Sequence, residues 1–183
     1  MALDDVVGRL GAAATTVLID GRSGSGKSTL AVQLRDAWPG SIVVRLDDIY
    51  PGWDGLLWAA GHVQRSLLEP RARGLTGRWR QWDWATNAPS GWHPVEPQQR
   101  LVVEGIGALT PATRACADLG IWVDADDAQR KRRALERDGD TYRPHWDRWA
   151  AQEDVFIARF RPRECADLIA TPTAAGFEFE APG

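Results

Sequence analysis

Residues 16–29 read Thr16-Val17-Leu18-Ile19-Asp20-Gly21-Arg22-Ser23-Gly24-Ser25-Gly26-Lys27-Ser28-Thr29, and this stretch decides the fold. Thr16 to Asp20 is a short apolar run, rich in β-branched residues and bounded by glycine, which is the pattern of a buried strand. Gly21 to Ser28 then fits the spacing Gly-x-x-x-x-Gly-Lys-Ser. Beyond it, Leu30, Leu34, Ala37 and Trp38 recur at helical spacing, and Pro39-Gly40 ends the helix. Strand, glycine loop and helix, in that order, are the context in which this spacing carries chemistry.

Phosphate oxygens need several N–H donors converging on one point. Gly21, Gly24 and Gly26 let the backbone curl with its amides inward, and the start of the helix adds partial positive charge. Lys27 is expected to reach the terminal phosphates of a nucleoside triphosphate, and Ser28 to offer its hydroxyl to Mg²⁺. Ser23, Ser25 and Thr29 complete the residues expected around the phosphates. The chain has only two lysines and 18 glycines among 183 residues. A chance match therefore runs at roughly two in a thousand before the flanking elements are counted. The stretch predicts a P-loop nucleotide-binding fold.

Working outward, the mass of 20.2 kDa suits a single domain over residues 1–183. Hydrophobic residues at 44% and charged residues at 26% are ordinary globular usage and argue against disorder. The net charge of −3 removes the basic footprint of a nucleic-acid binder. Strongly apolar runs are too short for a bilayer span, and Met1-Ala2-Leu3-Asp4-Asp5 carries acids where a secretory signal carries bases. A cytoplasmic protein without a membrane or nucleic-acid partner, monomeric or homodimeric, is expected. Cys116 and Cys165 lack the spacing of a zinc site or a disulfide framework and read as free thiols. Arginine outnumbers lysine 20 to two, so Lys27 and Lys131 each carry more information.

Five apolar runs read as parallel strands: Thr16–Asp20, Ile42–Leu46, Leu101–Glu104, Gly120–Asp124 and Ala166–Ala170. Leu56, Ala60, Val63 and Leu67 form a helical stripe that ends near Pro70. Asp126 to Arg137 is a charged helix, and Trp146, Trp149, Glu153, Phe156 and Phe160 share one face of another. Residues 74–97 read as irregular. Alternating strands and helices imply an α/β sheet with right-handed crossovers and ligands at the carboxyl ends of the strands. Asp20, Asp47 and Glu104 all sit at such ends. Residues 172–183 read as a flexible tail, although Phe177 and Phe179 could extend an edge.

The single Asn, Asn87, excludes the Asn-Lys-x-Asp of guanine readers, and no Ser-Gly-Gly-Gln or His-Arg-Asp is present. What remains resembles the uridine kinase-like branch of small-molecule P-loop kinases. Arg45-Leu46-Asp47-Asp48-Ile49-Tyr50 is similar to the family's Asp-[Ser/Asp]-Phe-Tyr element after the second strand. Trp82-Asp83-Trp84 is similar to its Tyr-Asp-Phe, and Glu104-Gly105-Ile106 to its Glu-Gly-Ile. The family's basic lid helix is matched by Asp124, Asp126, Arg130, Arg133, Arg137 and Asp138. The resemblance covers about residues 14–171.

The resemblance implies a three-layer α/β/α P-loop NTPase fold with a five-stranded parallel sheet in the order 2-3-1-4-5. It also implies a short arginine-rich lid over about 126–150. ATP and Mg²⁺ are the implied cofactors, and the implied reaction is phosphoryl transfer to a hydroxyl of a small metabolite, nucleoside or sugar-like. A hydroxyl is a poor nucleophile and needs a carboxylate near it. Asp47 is placed in that role, with Asp48 competing for it. Glu104 is expected to hold Mg²⁺ with Ser28 or to position the acceptor. Asp83 is expected to bind acceptor hydroxyls, and Tyr50 and Trp53 to stack on a flat substrate. Arg130 is expected at the nucleotide, with Arg133 and Arg137 on the same helical face spreading charge on the transferring group. Two other functions fit the motifs: a nucleoside monophosphate kinase, and a non-kinase ATP-binding or ATP-hydrolysing switch.

Overall fold

The structure, a computed structural model, describes the backbone of residues 1–183 and every side chain except those of Leu135, Arg137, Asp138, Asp140 and Thr141. A short helix α1 (Leu3–Arg9) precedes strand β1 (Thr16–Asp20), the glycine loop and helix α2 (Lys27–Ala37). Strand β2 (Ile42–Arg45) runs into a 3-10 turn at Leu46–Asp48. Helices α3 (Leu56–His62) and α4 (Glu69–Ala72) follow, then strands β3 (Gly77–Asp83), β4 (Ala88–Val95) and β5 (Leu101–Glu104). Helix α5 (Pro111–Arg114), strand β6 (Leu119–Val123), and helices α6 (Asp127–Tyr142), α7 (Trp146–Phe160) and α8 (Pro162–Cys165) lead to β7 (Leu168–Thr173) and β8 (Gly176–Glu180).

The main sheet has the order β2-β5-β1-β6-β7-β8. Its first five strands are parallel, and β8 returns antiparallel to β7. The expected five-stranded sheet is thus six-stranded. The expected tail is a strand from Gly176 to Glu180, because Phe177 and Phe179 alternate with glutamates and give that segment something to bury. Phe179 is 3% exposed, and its amide donates to the Met1 carbonyl. β1 and β6 are buried at every position, which explains their continuous apolar runs. β2 lies at the edge and is exposed at Ile42 and Arg45.

Side-chain alternation along β1 divides the interior. Leu18 joins Leu101, Val103, Ile169 and Phe156 on one face of the sheet, under α3 and α7. Val17 and Ile19 join Leu30, Leu34, Val102 and Ile121 on the other, under α1 and α2. Helices on both faces of the sheet give the three-layer α/β/α architecture.

The stripe from Leu56 to Leu67 is helical but not regular. Val63–Leu68 is a π-helical stretch that joins α3 to α4, and the Glu69 amide donates to the Gln64 carbonyl. Pro70 has no N–H to offer, and its ring crowds the preceding turn, so the ladder slips by one residue ahead of it. The helix then continues past Pro70 to Ala72. Residues 74–97, read as irregular, hold the β3–β4 hairpin, a separate two-stranded sheet. Pro89, Gly91 and Pro94 hid β4, since proline is excluded from central strands but tolerated in such an edge pair.

Candidate active site

The glycine loop joins the carboxyl end of β1 to the first turn of α2. Gly24 and Gly26 take left-handed conformations, with φ of +79° and +104°. Gly24 also lies so close to α6 that a Cβ there would overlap the Arg130 carbonyl oxygen. The Lys27 ammonium is folded over the loop and donates to the Arg22 carbonyl at 3.0 Å. The Ser25 hydroxyl is buried without a hydrogen-bond partner. A curled, amide-rich loop with an ammonium beside it suits a polyphosphate.

Two more strand ends converge on the loop. Ser28, in the first turn of α2, donates its hydroxyl to Glu104 Oε1 at 2.9 Å. The same oxygen accepts Arg45 Nε at 3.1 Å, and Arg45 also reaches Asp47 at 3.4 Å. Glu104 is 2% exposed, whereas half of the Asp47 side chain is open. Ser28 and Glu104 form a hard oxygen pair of the kind Mg²⁺ prefers beside phosphate oxygens. Among the described residues no group of three or more His, Cys, Asp or Glu could hold a metal by itself. A bound Mg²⁺ would thus draw its remaining ligands from water and phosphate.

These residues line one cavity of about 510 Å³. One side carries Ser23, Gly24, Lys27, Ser28, Arg45, Asp47 and Glu104. The other carries Tyr50, Trp53, Trp84, Ile106, Tyr142 and Trp149. Tyr50 is buried, donates its hydroxyl to the Ile106 carbonyl at 2.6 Å, and meets the Trp149 ring edge-on at 4.7 Å. Burial and the surrounding carboxylates push the Tyr50 phenol well above its ordinary range, so it stays protonated. Trp53 stacks on Tyr142 and His145 and meets Trp84 at 5.2 Å. Trp84 donates its indole N–H to the Asp47 carbonyl.

Asp47, Tyr50, Trp53 and Glu104 therefore line one space with the loop. Asp48 is half-buried, does not line the cavity, and has its carboxyl raised by burial. Asp83 does not line it either. Its carboxylate caps the β3–β4 turn instead, accepting from the Ala85 and Thr86 amides and the Thr86 hydroxyl. Those donors hold its carboxyl below the ordinary aspartate value. The neighbouring Trp84 lines the cavity. Thr29 is exposed and away from the cavity.

In α6, expected as a lid, Arg130 and Arg133 do not share an environment. Arg130 is 6% exposed and pairs with Asp127 at 2.6 Å, while Arg133 is exposed and reaches only Gln129. The helix is N-capped by Asp126 and broken at Gly139. The Arg137 side chain lies outside the described residues.

Sequence reasoning gave no site role to Arg45, Trp84, Tyr142 and Trp149, which line the cavity, nor to two carboxylates behind the loop: Asp20, read only as ending a strand, and Glu153, read only as part of a helix face. Trp149 had been legible only as part of a buried helix face. Asp20, fully buried, accepts the amides of Gly21, Leu109 and Gly107. Burial pushes its carboxyl up to about 7, against the pull of those amides and of Lys27. Glu153, 1% exposed, accepts both the amide and the hydroxyl of Ser23.

No protein-family model matches the chain, and no curated protein sequence matches it. Among solved structures it is similar to a "possible uridine kinase" from Bacillus stearothermophilus, with a TM-score of 0.64 and 20% identity over 91% of this chain and 94% of that one. It is also similar to a "putative fructose transport system kinase" from Silicibacter sp. TM1040, with a TM-score of 0.53 and 20% identity over 90% and 91% of the two chains. At that identity the likeness establishes a shared fold, that of the P-loop kinases. Among the described residues no helix is long and apolar enough to cross a membrane.

Proposed function

We propose that the protein is an ATP- and Mg²⁺-dependent kinase that transfers a phosphoryl group to a hydroxyl of a small molecule. The observation that carries this reading is the single cavity in which Lys27, Ser28, Glu104 and Asp47 face an aromatic wall. Bound as its magnesium complex, ATP supplies the transferable phosphoryl group. The glycine loop and Lys27 hold its phosphates, and Ser28 with Glu104 holds the metal. Asp47, half open beside them, orients the acceptor hydroxyl and takes its proton. Arg45 bridges Asp47 and Glu104 and keeps both carboxylates turned to the same space. Tyr50, Trp53, Trp84 and Trp149 exclude water from the acceptor and offer it flat apolar faces.

An acceptor that is already a phosphate ester needs a cage of unpaired cations. Among the described residues Arg45 is the one arginine lining the cavity, and two carboxylates already hold it. The hydroxyl acceptor is therefore preferred over a nucleoside monophosphate. The test is ADP release across a panel of nucleosides, sugars, vitamins and nucleoside monophosphates. Release must depend on a phosphate-free alcohol. Asp47→Asn must abolish it, by about a hundredfold or more, while MgATP binding persists. Wild-type turnover in Asp47→Asn, or release that only monophosphates stimulate, overturns the reading.

A further inference from the structure

Beneath the glycine loop lies a buried carboxylate that the reaction outlined above does not use. Glu153 projects from the middle of α7 and is 1% exposed. Its Oε1 accepts the Ser23 amide at 2.8 Å and the Ser23 hydroxyl at 2.6 Å. Its Oε2 accepts Arg22 Nε at 3.1 Å and lies 3.8 Å from a terminal nitrogen of Arg130. That Arg130 nitrogen is buried and has no hydrogen-bond partner. Arg22 is shared with Asp154, and Arg130 with Asp127.

The arrangement is that of an anion held by a phosphate site. One backbone amide, one hydroxyl and two guanidinium groups converge on a single carboxylate, as they would on a phosphate oxygen. Ser23 borders the cavity together with Gly24, Lys27 and Asp47. Of the loop residues ahead of Lys27 that line the cavity, Ser23 and Gly24, it is the one farther along the chain from the start of α2, so a third phosphate would lie nearer to it than the end of a diphosphate would.

We infer that Glu153 is a specificity-determining and positioning residue: its buried negative charge holds Ser23 and Arg130 in place and weakens the grip of the site on a terminal phosphate relative to a diphosphate. The inference rests on the reading that the loop binds ATP. Electrostatics gives its sign. A fixed negative charge next to Ser23 would repel ATP more than ADP, since the extra charge of ATP would lie on the Ser23 side of the loop. The Arg130 nitrogen that lacks a hydrogen-bond partner is the donor that would serve that phosphate. Glu153 stands one helical turn from Trp149 on the same helix, so any adjustment at the loop is passed to the aromatic wall.

The experiment is calorimetric titration of the full chain with MgATP and with MgADP. Glu153→Gln keeps the shape and an acceptor for Ser23 but removes the charge. The ratio of ATP to ADP affinity is expected to rise about fivefold or more. Glu153→Asp keeps the charge but draws it back from Ser23 and Arg130, so a smaller rise in the same ratio is expected, and this variant serves if the glutamine variant does not fold. General loosening weakens both nucleotides together and leaves the ratio alone. A ratio unchanged within twofold, or one that falls, in a folded variant overturns the inference. Failure of the wild-type protein to bind either nucleotide overturns the reading of the loop instead.

Discussion

The Ser28 hydroxyl donates to Glu104 Oε1 across 2.9 Å, which ties the first turn of α2 to the carboxyl end of β5. Neither residue needs the other for folding, since Ser28 already sits in a helix and Glu104 already pairs with Arg45. On the proposed reading this pair is the oxygen site that would hold Mg²⁺. Glu104→Gln keeps the hydrogen bond and removes the charge. The Mg²⁺ concentration for half-maximal ADP release is expected to rise about ten- to a hundredfold. Nucleotide binding in the presence of a chelator is expected not to weaken, since a charge that repels the phosphates is gone. An unchanged Mg²⁺ requirement takes Glu104 out of the metal site.

Trp84 carries two contacts at once: its N–H holds the Asp47 carbonyl, and its ring lies 5.2 Å from that of Trp53. Trp84→Phe loses the first and keeps most of the second, whereas Trp84→Ala loses both. With any acceptor that supports ADP release, the acceptor KM is expected to rise about tenfold in Trp84→Ala and less in Trp84→Phe. The KM for ATP is expected to hold, because the contacts of Trp84 described above are with Asp47 and Trp53 on the acceptor side. Equal loss of both KM values would point to collapse of the hairpin.

The glycine loop was legible because its chemistry is local. A fixed spacing of Gly24, Gly26, Lys27 and Ser28 says what the backbone must do there, whatever surrounds it. Strands β1, β5 and β6 were legible because burial on both faces leaves continuous apolar runs. The acceptor side was not, because it is assembled from distant segments that each have an ordinary local explanation. Trp149 reads as a core position of an amphipathic helix. Trp84 and Asp83 are neighbours on one hairpin, and only its docking shows that the tryptophan faces the cavity while the aspartate closes the turn. Glu153 was visible on a helix face, but its partner Ser23 lies 130 residues away in sequence.

Asp83 supplies the corresponding negative prediction. Its carboxylate is engaged by the Thr86 hydroxyl and by two turn amides, so Asp83→Ala is expected to leave ADP release within about twofold of wild type. It should lower Tm slightly near neutral pH. The hydroxyl and amides favour the ionised form and pull the carboxyl below 3.8. That contribution is present above the unfolded value and is lost as pH falls through the folded one. The Tm gap between wild type and Asp83→Ala is therefore expected to close in acid. A large loss of turnover in Asp83→Ala would restore it to the acceptor site.

Gly24 and Gly40 separate backbone strain from close approach. Both have a left-handed φ, +79° and +80°. A Cβ on Gly40 meets nothing within 4 Å, whereas one on Gly24 overlaps the Arg130 carbonyl. Gly40→Ala is expected to cost about 1 kcal/mol of stability and to leave nucleotide affinity unchanged. Gly24→Ala must push α6 off the loop, and about a tenfold or larger loss of MgATP affinity is expected. Calorimetry on both variants decides it, and equal affinities would mean that the contact with α6 plays no part in binding.

Asp20 gives the loop a pH dependence whose sign can be worked out. Its carboxylate lies behind the glycine turn and accepts three amides, yet burial still raises its value from 3.8 to about 7. The native state thus binds this proton more tightly than the unfolded chain does. The contribution is fully present below 3.8 and is lost as pH rises toward and through about 7. Asp127 and Asp83 act in the opposite sense and at lower pH, since their values are pulled down. Asp20→Asn carries no proton to lose, but its amide nitrogen faces N–H donors, so it is less stable than wild type in acid. As pH rises from about 4 to 8, the wild-type protein loses what the variant never had, and the Tm gap between them is expected to narrow. A gap that stays constant over that range would mean that Asp20 is ionised throughout, with the three amides and Lys27 outweighing its burial.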